Sequence, residues 1–396
     1  MKRQEESVTS KEHSKHSKIA RPAYGNFGRN EWAIVGAPCG KIKALADDLI
    51  KGLSADYKCA YVDAHHANTD EEAVLPGRLA SGAVAEYTDQ IHYHQFDMKR
   101  ELNAFQFRQL FQDTDLVLVN GNHEQAKAQV VIIDASKKAS LQKRLPQLTN
   151  IVLFLLADGM EEVYDFLQEA IPDWQTIPVL QLSETGKVVS FFQEQMLQAK
   201  PKLNGLVLAG GKSLRMGQDK GAMAWHGKEQ RYHMADLLGE LCEQVYISCR
   251  TEQQAELDVN YSTLTDTFIG LGPYGAILSA FRKDPDAAWL VVACDLPLLD
   301  PATLKHLVEH RNTSANATTY ASPQDGFPEP LIAIWEPKSY QVLLSFLAQG
   351  YTCPRKVLRI CEIHLIESAN ADALLNVNTP EELEQVQLLL QDKTTY

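Results

Sequence analysis

At 396 residues the chain is too long for one ordinary core and points to two domains. Its composition, 45% hydrophobic and 22% charged, is ordinary for a soluble globular protein, and its longest apolar runs, such as 151–157, are far too short to span a bilayer. A net charge of −13 argues against sequence-tolerant binding of nucleic acid, and seven scattered cysteines with no CxxC pair argue against a disulfide framework or zinc ribbon and fit a reducing cytoplasm.

In chain order, residues 1–30 are polar and have no apolar segment, so they read as a disordered polar tail rather than a secretory signal, with His13 and His16 solvated. From there, apolar strand-like runs alternate with helical patterns, and this alternation predicts α/β architecture with mostly parallel sheets. The pattern starts twice. Glu31–Val35 is a short strand running into a glycine loop, and Gly205–Leu208 is another. Two Rossmann-like three-layer domains are expected, at 31–195 and 203–396. The join at 195–202 is helical and then broken by Pro201.

In the first domain, Lys58–Val62, Leu116–Val119, Val130–Ile133, Ile151–Leu156 and Val179–Leu182 are the further strand candidates. The loop Gly36-Ala37-Pro38-Cys39-Gly40-Lys41-Ile42 approaches a phosphate-binding loop but falls short of it. Only three residues separate the glycines where four are needed, and Ile42 replaces the hydroxyl that would hold magnesium. The strand at 116–119 runs into neutral Asn120 where an acidic residue normally stands. His65 and His66 read as polar loop residues after a strand rather than metal ligands.

In the second domain, Val245–Ser248, Trp289–Ala293 and Leu331–Trp335 are strand candidates. The segment from Leu208 to Lys220 reads Leu-Ala-Gly-Gly-Lys-Ser-Leu-Arg-Met-Gly-Gln-Asp-Lys. Gly210, Gly211 and Gly217 allow the backbone to come close to an anion and turn its N–H groups toward phosphate. Arg215 and Lys220 would neutralise phosphate charge, one as a fork of donors and the other as a point charge. Asp295 follows the strand 289–293, where an open parallel sheet places ligand-binding residues. A carboxylate there suits Mg²⁺, which takes oxygen ligands from one or two carboxylates plus phosphates. Asp266 precedes a glycine- and proline-containing turn at 270–275. Finally, Thr379-Pro380-Glu381-Glu382 forms a capping box at the start of a last helix, with Leu383, Val386 and Leu390 on one face.

The loop at 208–220 resembles the nucleotide loop of molybdenum cofactor guanylyltransferases, a family of Rossmann-like nucleotidyltransferases. Related cytidylyltransferases usually read Leu-Ala-Ala-Gly, and Gly210 matches the guanylyl form. The resemblance implies transfer of GMP from GTP to the phosphate of molybdopterin, with release of pyrophosphate. It implies nucleotide contacts from Leu208, Ala209, Gly210, Gly211, Lys220, Asp266 and Asp295, with Asp295 as the magnesium ligand. Catalysis would fall to Lys220, Arg215 and Asp295. Asn376 and Asn378, in Asn-Val-Asn-Thr-Pro, would border the pterin acceptor, and Pro330 would line the same side. The family usually has an asparagine where Arg250 stands. Residues 31–135 resemble the GTP-binding adaptor protein of molybdopterin guanine dinucleotide synthesis with its catalytic parts lost.

The partners implied are GTP, molybdopterin or the molybdenum cofactor, and molybdoenzymes or their chaperones. Neither nucleic acid nor a membrane is expected, and the location implied is the cytoplasm. Other readings stay open on the residues alone. These are cytidylyl transfer to molybdopterin, nucleotidyl transfer to a sugar phosphate, a non-catalytic cofactor-binding scaffold or chaperone, and a nucleotide-binding regulator.

Overall fold

The computed structural model describes residues 18–65, 75–209 and 220–377, together with 382, 384 and 386. The chain divides into two units, Ala23–Lys200 and a second built from Pro201 onward.

In the first unit, β1 (Glu31–Val35) leads to α1 (Cys39–Leu53) and β2 (Cys59–Val62). A hairpin of β3 (Ala85–Asp89) and β4 (His94–Met98) follows, then α2 (Ala104–Leu110), β5 (Leu116–Asn120) and β6 (Ala128–Ile133). The unit ends with α3 (Lys138–Lys143), β7 (Ile151–Leu156), α4 (Asp165–Ala170), β8 (Val179–Gln181) and α5 (Thr185–Gln198). Six strands form one sheet in the order β2-β5-β1-β6-β7-β8, all parallel. Successive side chains alternate between its faces. Ile34, Leu118 and Val130 pack against Leu45 and Leu49 of α1 and Phe192 of α5. Val35, Val131 and Phe154 pack against Leu141 of α3 and Leu167 of α4. Helices on both faces explain why these strands are near-continuous apolar runs.

Glu31 is the exception in β1, only 2% exposed. Its carboxylate accepts the backbone N–H groups of Asn26, Phe27, Gly28 and Lys127 at 2.9, 2.7, 3.0 and 2.9 Å. Burying this charge is tolerable because four donors replace its water. These bonds also draw in residues that composition assigns to the polar tail. Phe27 is 1% exposed and meets Phe107 and Phe111 edge-on.

The second unit comprises β9 (Leu203–Leu208), α6 (Gln230–Gly239), β10 (Gln244–Cys249), β11 (Thr263–Thr265), α7 (Pro273–Lys283) and β12 (Ala288–Ala293). It continues with α8 (Pro301–Glu309), β13 (Ala317–Ala321), β14 (Pro328–Trp335), α9 (Ser339–Ala348), α10 (Pro354–Ile360) and β15 (Ile363–Ile366). Seven strands pair in the order β11-β10-β9-β12-β14-β13-β15. The first four run parallel, and β14 is antiparallel to β12 and β13. Leu290 and Val292 of β12 face Leu238 of α6 and Leu304 of α8, whereas Trp289 and Val291 face Ile277 of α7, Leu343 of α9 and Val357 of α10. Each such side chain, fully buried, contributes about 1.5–3 kcal/mol before entropy is counted.

The strands expected from apolar runs are all present, with ends shifted by a few residues. The hairpin, β11, β13 and β15 are additional. The capping box at 379–382 falls on a stretch that lies, apart from residues 382, 384 and 386, outside the described residues. Val386 packs with Leu298 and Val377.

Candidate functional site

Because β9 to β12 run parallel, their C-terminal ends share one edge. Leu208 closes β9 in register with Ser248 of β10 and Ala293 of β12. The N–H of Cys294 donates to the Leu208 carbonyl at 3.4 Å. Ala209 and Asp295 therefore leave the sheet side by side. Gly210, Gly211 and Arg215 lie outside the described residues. Lys220 opens a short 3-10 turn, Lys220–Ala222.

Asp266 reaches the same edge from β11. Its N–H donates to the Cys249 carbonyl at 3.1 Å, and Ser248 Oγ donates to its Oδ1 at 2.9 Å. Burial pushes its carboxyl above the usual range, outweighing the lowering by the Ser248 bond and the Arg250 charge. The turn that follows is sterically tight. A Cβ on Gly275 would sit 2.2 Å from the Phe268 carbonyl oxygen, so only glycine lets α7 start there.

Arg250 stands just past β10. Its Nε donates to Gln253 Oε1 at 3.2 Å and its Nη1 lies 3.3 Å from Glu252. Local contacts thus hold the guanidinium at the site's margin.

The residues expected on the acceptor side arrive from two directions. Ile332 pairs with Val292 in antiparallel register, so Pro330 at the start of β14 lies at the end of β12 beside Asp295. The N–H of Val377 donates to the Asp295 carbonyl at 2.9 Å, bringing neighbouring Asn376 to the same place. Asn378 lies outside the described residues.

Three contributors are absent from the sequence reading. His226 Nε2 donates to the Pro297 carbonyl at 2.9 Å, tying the chain before α6 to the Asp295 loop. Ser248 holds Asp266. Arg355 Nη2 meets Glu329 at 3.2 Å and its Nη1 meets Asp325 at 3.0 Å, placing a guanidinium beside Pro330. A signal for Arg355 existed. Pro354 opens α10, so Arg355 and Lys356 fall in its first turn, where the helix dipole disfavours cations. Contacts offset this for both, Asp325 and Glu329 for Arg355 and the Tyr351 ring, 3.8 Å away, for Lys356.

Asp295 is the residue at this edge that could hold a hard cation. Asp295 offers a carboxylate where phosphates would lie, which matches the few protein ligands Mg²⁺ uses. Among the described residues no cluster of three or more His, Cys, Asp and Glu side chains forms a metal cage.

The first unit's corresponding edge is occupied differently. Lys41 Nζ lies 2.7 Å from Asp134 Oδ2, so the amine that a phosphate loop would offer to an anion meets a carboxylate. This bond, partly opposed by burial, raises the Lys41 pKa. Asn120 Nδ2 donates to Asp63 Oδ1 at 2.9 Å. Gly36, at φ +95°, comes so close to β6 that a Cβ would sit 2.3 Å from the Ile132 carbonyl oxygen, so that glycine serves strand packing. His65 is exposed and His66 lies outside the described residues.

Comparison with known proteins matches the model of a MobA-like NTP transferase domain to residues 205–368. A molybdenum cofactor guanylyltransferase of Pseudomonas putida is 30% identical over 197 residues, covering 48% of this chain and 100% of that protein. The chain belongs to the molybdenum cofactor guanylyltransferase family. A molybdenum cofactor biosynthesis bifunctional protein of Synechocystis sp. is 36% identical over 185 residues, 46% of this chain and 53% of that protein. The chain thus spans about half the length of that bifunctional relative. Among solved structures, molybdopterin-guanine dinucleotide biosynthesis protein A from Archaeoglobus fulgidus aligns at TM-score 0.42 and 24% identity, over 48% of this chain and 99% of that one. A MobB protein homolog from Bacillus stearothermophilus aligns at TM-score 0.31 and 20% identity, over 43% of this chain and 99% of that one. Among the described residues no helix is long and apolar enough to cross a membrane.

Proposed function

We propose that the second unit transfers GMP from GTP to the terminal phosphate of molybdopterin, or of the molybdenum cofactor, and releases pyrophosphate. The observation that carries this reading is the shared edge, where Ala209 at the start of the glycine loop adjoins Asp295 through the Cys294–Leu208 bond. The acceptor oxygen is already anionic, so no strong general base is needed. Rate enhancement would come from alignment and charge neutralisation. The backbone of Gly210 and Gly211 would hold the triphosphate, with Leu208 and Ala209 setting the loop's origin. Arg215 and Lys220 would offset charge building on the leaving pyrophosphate. Asp266 would contact the nucleoside. Pro330, Asn376 and Asn378 would border the acceptor. Mg²⁺ held by Asp295 and the phosphates would supply further charge neutralisation.

The first unit is read as an adaptor-like domain that has lost nucleotide hydrolysis. The Lys41–Asp134 pair supports this, because a phosphate entering there would have to displace a carboxylate. The proposed setting is the cytoplasm, with molybdoenzymes or their chaperones receiving the product. A molybdopterin-dependent pyrophosphate release assay, run with each ribonucleoside triphosphate in competition, tests the proposal. GTP should support release and outcompete CTP and UTP. Release without acceptor, or a preference for CTP, would reject it.

A further inference from the structure

The first unit's sheet edge holds a second group of reactive side chains. Cys39 is the first residue of α1, a 15-residue helix, where the positive helix end favours a thiolate. The group also contains a base. Cys39 Sγ lies 3.5 Å from His123 Nε2, and Asn122 Nδ2 donates to the same sulfur at 3.5 Å. His123 Nε2 is also 3.7 Å from Asp63 Oδ1. Burial works against the charge of Asp63, but bonds from the Ala64 N–H, Lys43, Tyr61 and Asn120 outweigh it and hold the carboxyl below its usual range.

The loop carrying the base is fixed. Arg144 donates to the carbonyls of Gly121 and Asn122 at 2.9 and 2.6 Å. Asn122 Nδ2 donates to the Ala37 carbonyl at 2.9 Å, tying this loop to the one before α1. Thiol, imidazole and carboxylate thus come from three separate segments, and Asp63, facing the same ring nitrogen as Cys39 Sγ, favours the imidazolium that forms when the thiol gives up its proton.

Other cysteines differ. Cys249 and Cys294 are buried, and burial pushes the thiols of Cys59, Cys242 and Cys249 up to about 11, 12 and 11. Cys39 is partly exposed. Lys41 and Lys43, on the same helix, are each paired with a carboxylate, Asp134 at 2.7 Å and Asp63 at 3.2 Å.

We propose that Cys39 is a nucleophilic thiol with His123 as its base, and that it exchanges with low-molecular-weight disulfides. The Cys39 proton passes to His123 Nε2. The thiolate attacks one sulfur of the disulfide, forming the Cys39 mixed disulfide. The reagent's S–S bond breaks, and the departing thiolate takes the proton back from His123. The disulfide is the only oxidant required.

The test uses the full chain, oxidised glutathione in excess, and peptide masses followed over time. Exposed Cys353 serves as the internal standard. At pH 7, Cys39 should gain glutathione at least about tenfold faster than Cys353. His123→Gln should slow Cys39 by about tenfold and move its rate–pH midpoint upward, with Cys353 unaffected. A Cys39 rate equal to or below that of Cys353 would overturn the proposal, and this comparison needs no variant. A rate and pH profile unchanged in a folded His123→Gln protein would overturn it as well.

Discussion

The backbone N–H of Val377 donates to the carbonyl of Asp295 at 2.9 Å, so residues more than eighty positions apart are joined main chain to main chain. The contact leaves the Asp295 carboxylate's identity irrelevant to this junction. Asp295→Asn should therefore fold normally and bring the acceptor-side segment to the same place. Its turnover should still fall by about 100-fold, by analogy with the loss of one electrostatic stabiliser. Steady-state pyrophosphate release, with far-ultraviolet circular dichroism as the folding control, measures this. Near-normal turnover would remove Asp295 from the metal site.

Asp266 supplies a pH dependence. Its carboxyl is raised in the fold by burial. A raised acid favours the folded state below the unfolded value, near pH 4, and that advantage disappears as pH climbs through the folded value. Asp266→Asn escapes this loss and can still accept the Ser248 hydroxyl. The variant should match the wild-type melting temperature below about pH 4, gain over it as pH rises and level off once pH passes the folded value, while nucleotide turnover falls. Thermal unfolding at a series of pH values tests the sign, and a variant less stable at pH 8 than at pH 4 relative to wild type would contradict it.

Arg311 and Glu336 form a two-point pair at 2.6 and 2.9 Å, with side chains 5% and 1% exposed. Arg311 also donates to the Pro201 carbonyl at 2.9 Å, pinning the start of the second unit. Removing one partner strands the other charge. Glu336→Gln should cost about 3 kcal/mol in denaturant unfolding of this unit. A loss under about 1 kcal/mol would mean that the pair is worth no more than a surface one.

The two lysines give a paired prediction. Lys41→Ala in the full chain should leave guanylyl transfer intact, since Asp134 already occupies that amine. Lys220→Ala should abolish most of it. Equal losses in both variants would assign the first unit a catalytic share.

Much of the fold was legible in the sequence wherever packing has two sides. Ile151–Leu156 and Trp289–Ala293 are apolar at every position because helices cover both faces of their sheets. Strand β13 escaped notice because its Thr318 and Thr319 look like loop residues. In the fold their hydroxyls are satisfied, Thr318 Oγ1 accepting the Asn312 N–H at 2.9 Å and Thr319 Oγ1 donating to the Glu329 carbonyl at 2.5 Å. The β3–β4 hairpin pairs only with itself, and its exposed Tyr87 and Phe96 follow no core pattern. The placement of Asp295 and Asp266 at one sheet edge was legible because a carboxylate follows a strand or precedes a glycine turn. Ser248 and His226 were not, since each acts through a contact 18 or 71 residues away that only the folded sheet creates.

The central claim is that one edge of the second unit's sheet brings a guanine nucleotide and a pterin phosphate together. Incubating the full chain with Mg²⁺, molybdopterin and each triphosphate in turn, then weighing the pterin product, tests it most directly. A mass gain of one GMP, seen with GTP and matched by pyrophosphate, is the predicted result. A pterin recovered unchanged with GTP, or carrying CMP instead, would contradict it.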